Sequence, residues 1–158
     1  MNYTKMNYRQ HRYVFFVLAL FSCLFLPIAV EAATRTWDGG GVTNNWSEAA
    51  NWSDDIAPVN GDETIFNAAG TKNATIDVSV SVFNFFIQSG YTGTITQAGG
   101  TTVTTTFQFT QSAGTYVGGS GAFNFPGAFL TIQNTAAFQG GTGLISGNRM
   151  TQNGGAFT

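Results

Sequence analysis

Cysteine, histidine and charge are nearly missing from this chain. Its only cysteine, Cys23, and its only histidine, His11, both fall within the first 32 residues. After residue 32 no disulfide can form, a framework on which small secreted eukaryotic domains often rely, so the composition leans towards a bacterial protein. The same two absences remove the general base of a hydrolase triad and the nucleophile of a thiol mechanism. Residues 33–158 carry three basic side chains (Arg35, Lys72 and Arg149) against seven acidic ones, and none of either sign lies between Val78 and Asn148. Binding to nucleic acid rests on clustered Lys and Arg that displace phosphate counterions, and this chain has no such cluster. Nucleic acid is excluded as a main partner.

What the first 32 residues do contain is an address. Lys5, Arg9 and Arg12 precede an apolar run from Tyr13 to Val30, which closes on Val30-Glu31-Ala32. A basic start, an apolar stretch and a small-residue exit make the three-part layout of a secretory signal, with cleavage expected after Ala32. The run is long enough for a membrane anchor, but Pro27 and the small-residue exit favour cleavage. The mature chain is expected to be extracellular or on the outer cell surface, with no membrane span.

Beyond the leader the apolar residues alternate. Ile76, Val78, Val80 and Val82 share one face of an extended strand, and the face then slips by one to Phe83, Phe85 and Ile87. Such a slip predicts a bulge or a corner. Val103, Phe107 and Phe109 form a second half-buried set, with Thr on the wet side. Glycine-rich runs at 98–100, 118–121, 140–143 and 154–155 punctuate these strands, as expected of tight turns. Three segments, Gln111–Tyr116, Gln133–Phe138 and Gln152–Phe157, each place an aromatic five residues after a glutamine, and Gln97-Ala-Gly-Gly reads as a degenerate earlier copy. A period near ~20 residues is that of a β-solenoid coil, whose apolar surface is covered only when the next coil stacks on it.

Residues 34–67 differ in character and hold all three tryptophans: Thr36-Trp37-Asp38 with Gly39 to Gly41, then Asn45-Trp46, Asn51-Trp52, Pro58, Gly61-Asp62 and Phe66. That order, followed by the run from Gly90 to Gln97, resembles the start of exported bacterial proteins with autotransporter-associated β-strand repeats. The resemblance covers about residues 34–158. It implies a right-handed parallel β-helix passenger, displayed on or released from the cell surface, and no catalytic residues. The expected organisation is a signal peptide over 1–32, a Trp-rich capping module over 33–70 and β-solenoid repeats over 71–158. Those repeats are expected to be incomplete at the C-terminus, because autotransporters end in a membrane barrel and this sequence stops inside a repeat.

Candidate sites are few. Trp37, Trp46 and Trp52 are expected to form a small aromatic core that caps the first coil, with a sugar-stacking platform as the alternative. Asp54, Asp55, Asp62, Glu63 and Asp77 are a candidate calcium set, or solvated loop charges. The calcium-roll pattern fails, because Phe123 and Ile145 stand where its carboxylate belongs. The pairs Asp54/Asp55 and Asp62/Glu63 point apart in an extended strand and make poor glycosidase dyads. The expectation is a non-enzymatic surface protein with a structural or adhesive role. No cofactor or metal is expected, and the partners are surface glycans, other cells or further copies through an uncapped end. The alternative is a secreted carbohydrate-binding or polysaccharide-processing module.

Overall fold

A computed structural model describes residues 32–158, which form one compact unit. The leader lies outside the described residues. Nine strands form a single parallel sheet that winds into a β-solenoid: β1 (Thr34–Trp37), β2 (Glu63–Phe66), β3 (Ala74–Ile76), β4 (Val80–Ile87), β5 (Thr94–Gln97), β6 (Val103–Gln111), β7 (Thr115–Val117), β8 (Phe123–Gln139) and β9 (Ile145–Phe157).

The pairing resolves into three faces. On the first, residues 80–82, 103–105, 123–125 and 145–147 stack in sequence. On the second, β1 and β2 lie beneath 84–87, 108–111, 129–132 and 149–152. On the third, β3, β5 and β7 continue into 137–139 and 156–157. Both β8 and β9 run through all three faces. The stack already begins at β1 and β2, within residues 33–70.

Inward side chains form columns. Thr64, Phe85, Phe109 and Leu130 rise through the second face, with the exposed Met150 in register above them, and Ala74, Ile95, Tyr116, Phe138 and Phe157 rise through the third. Tyr116 and Phe138 stack 4.9 Å apart and Phe138 and Phe157 stack 5.2 Å apart, both nearly parallel. Each buried aromatic contributes ~1.5–3 kcal/mol, and only the neighbouring coils make that burial complete.

Five details differ from the sequence reading. The slip after Val82 is a bulge between Val82 and Asn84, and the bulged Phe83 turns outward. Val78 lies in the corner between β3 and β4 and is exposed. A second register shift, between Thr104 and Gln108, turns Phe107 outward while Thr105 is fully buried. The glutamines of the repeat do not align: Ile132 lies over Gln111, and Gln152 lies over Ile132. The middle copy holds one extra residue before its aromatic, taken up where Asn134 adopts φ 58° and the register shifts before Ala137. Nor is Gln97 an earlier copy. It ends β5 on the third face, where its side chain donates to the carbonyls of Thr101 and Ala122.

The glycines at 118–121 and 140–143 also have a different cause from turn geometry. Their φ angles are not positive. Instead, successive coils touch backbone to backbone there, and a Cβ at Gly141 would lie 1.9 Å from the Gly119 carbonyl oxygen.

Candidate functional site

The lower end of the solenoid is closed by two short 3-10 turns, Ala49–Asn51 and Ser53–Asp55, which bring the indoles together. Trp37, Trp46 and Trp52 are 0%, 1% and 0% exposed. Trp52 sits edge-on to both others, with centroids 5.3 Å from Trp37 and 4.6 Å from Trp46, and its Nε1 donates to the Trp46 carbonyl at 2.7 Å. Phe66 packs against all three and passes the cluster on to Phe85. A sugar ring stacks on an exposed aromatic face, and these three rings have none exposed. The structure places them as the aromatic floor of the first coil. Trp46 Nε1 is buried without a hydrogen-bond partner.

A polar knot covers that floor. Lys72 Nζ donates to the carbonyls of Gly41 and Thr43 and to Asn51 Oδ1. The fully buried Asn51 donates in turn to the carbonyls of Thr43 and Asn45. Glu48 accepts from the Thr43 hydroxyl and from the backbone N–H groups of Val42 and Thr43. Those bonds, led by the Thr43 hydroxyl and helped by the Lys72 charge, hold its carboxyl below the usual carboxylate range.

The five acids considered for calcium go to separate tasks. Asp77 accepts from the backbone and hydroxyl of Ser47. Asp62 is buried and accepts from two backbone N–H groups. Glu63 accepts from Thr34 and Asn84. Asp54 and Asp55 occupy an exposed turn with φ 65° and 52°. No three acidic, histidine or cysteine side chains gather among the described residues. No helix among them is long and apolar enough to cross a membrane.

Two outer features were not apparent in the sequence. At the corner of the first and second faces, Phe83 (43% exposed) and Phe107 (49% exposed) stack at 4.9 Å, both displaced outward by the register shifts. On the second face of the coil above, Phe129 is also exposed, with the Arg149 guanidinium 5.6 Å from its ring centre. At the corner of the second and third faces, stacked turns leave a shallow groove of about 500 Å³. Ser89, Thr92, Ser112, Thr115, Asn134 and Thr135 line it, without any charged group. Only coil stacking aligns these turns; along the chain they read as unrelated loops.

No protein-family model matches the chain, and no curated protein or solved structure is significantly similar to it.

Proposed function

We propose that this chain is an exported bacterial surface or secreted β-solenoid with a structural or adhesive role, the front of an autotransporter-like passenger. The observation that carries the reading is the outside of the coils. Between Val78 and Asn148 no side chain is charged, and the outer column of the second face rises as Phe86, Thr110, Thr131 and Thr151. Such a surface offers hydroxyls and apolar patches for contact at any ionic strength. It offers no clustered acids or bases for chemistry. Deleting the gene tests the role: attachment of the bacterium to surfaces or to other cells should fall, and unchanged attachment overturns adhesion.

The corner groove favours a second reading, a module that binds a neutral glycan. Hydroxyls and an amide suit an uncharged polysaccharide. In this reading the groove, rather than the buried indoles, makes the contact. Titration with neutral oligosaccharides should shift backbone amide resonances of 89–92, 112–115 and 134–135. Shifts elsewhere, or none, remove the reading.

A further inference from the structure

The expected cleavage point and a buried carboxylate meet in space. Asp62 is 1% exposed, at the turn that leads into β2. Its Oδ1 accepts from the Ala33 backbone N–H at 2.9 Å, and its Oδ2 accepts from the Val59 N–H at 3.0 Å. The only cation beside it among the described residues is Arg35 of β1, whose Nε stands 3.6 Å from Oδ2 and makes no hydrogen bond. Arg35 and Asp62 form an ion pair without a hydrogen bond, so a charged donor at Oδ1 would give this buried carboxylate a second cation, one that is hydrogen-bonded. Ala33 is the residue that begins the chain if the leader is cut after Ala32.

We propose that Asp62 is the receptor for a new amino terminus: cleavage of the Ala32–Ala33 bond places an ammonium on its carboxylate and locks β1 onto the solenoid. The inference rests on the export reading. In the step itself a leader peptidase adds water across the peptide bond. The C–N bond breaks, Ala32 leaves as a carboxylate and Ala33 N takes up a proton. The nitrogen that donated to Asp62 as an amide then donates as a cation, in a charge-assisted bond of about twice the strength. Ala32 is exposed, so the bond is accessible, while Ala33 is half-buried and its carbonyl accepts from Glu63 N at 2.8 Å. The neighbouring charges are Arg35 on the same strand, Asp62 itself and Glu63 of β2, which the Thr34 hydroxyl engages at 3.3 Å. Cleavage would thus tighten the capped end only once the leader is gone.

The pH window is clean. An α-amino group titrates near ~8 in free peptides, and an anionic partner raises that value in the folded state. The stability it contributes is present below pH ~8 and is lost as pH rises through the raised folded value. Residues 33–158 contain no His or Cys, and their only tyrosines, Tyr91 and Tyr116, are pushed upward by burial.

The test expresses the full precursor in an exporting bacterial host and recovers the processed protein. Its mass should be that of residues 33–158. From pH 7 to pH 9 the Tm of this product should fall by roughly 3–6 °C, and Asp62→Asn should flatten the slope. If Asp62→Asn is not recovered folded, acylation of the wild-type α-amine at pH 7 decides. It should run about tenfold slower than in a peptide of the same first residues, the ion pair holding the amine protonated. A product beginning elsewhere, an equal slope in both proteins, or an unprotected amine overturns the inference. Absence of any cleaved product overturns the export reading instead.

Discussion

The capped end and the coils solve the same problem by different means. Between Ala32 and Asp77 the chain has few regular strands, so indole packing and side-chain bonds to loop backbone close the base of the solenoid. Lys72, Asn51, Glu48, Asp77 and Asp62 all spend their polar groups on main-chain partners there. From Val78 onward the backbone ladder does that work, and the inward columns are aromatic or aliphatic with a few amides and hydroxyls. Charge is needed where the backbone is irregular and is dispensable where each coil satisfies the next.

That contrast can be broken most forcefully by truncating one aromatic on each side. Trp52→Ala in the cap and Phe109→Ala in the coils should each cost ~3–5 kcal/mol in urea unfolding. Tryptophan fluorescence reports only the cap and far-UV circular dichroism mainly the coils. Coincident transitions in both mutants would show that the two regions unfold together, and separate ones that the cap opens first. Next comes the backbone contact between coils. Gly141→Ala forces a Cβ against the Gly119 carbonyl and should cost ~1–3 kcal/mol, with the circular dichroism transition moving to lower urea.

Titration should separate the regions by sign. Glu48 has its acidity strengthened by its bonds, so its contribution is present above the ordinary carboxylate range. It is lost as pH falls through the lowered folded value. Acid should therefore loosen the cap, seen as a red shift of tryptophan emission before circular dichroism changes. Tyr91 and Tyr116 are raised by burial, so the stability of their neutral forms holds below pH ~10 and is lost above it. The coils should weaken in alkali. The smallest effect is expected outside: Phe83→Ser removes a half-exposed ring from its stack on Phe107 and should cost under ~1 kcal/mol in urea unfolding.

The sequence carried the solenoid through its aromatic spacing, because Tyr116, Phe138 and Phe157 do form one column. It misled where a bulge intervenes. Phe107 has the parity of an inward residue, but a shift in register displaces it, and no local pattern distinguishes that case from continued alternation. Gln133 misled for the related reason that Asn134 absorbs an extra residue in a left-handed conformation. The tryptophans were visible as a group, while their burial depended on Phe66 and Phe85 arriving from later strands. The groove could not be read at all, since its turns are about twenty residues apart and adjacent only across coils.

One consequence of the charge-free coils concerns how the molecule orients. All seven acids of residues 33–158 precede Val78, and past that point the only charged side chain is Arg149 on β9. The domain is therefore an electric dipole along its winding axis, negative at the tryptophan floor. Beside any anionic surface this field turns the floor away within a Debye length of ~8 Å at physiological salt. At higher ionic strength the torque fades while the coils themselves are unaffected.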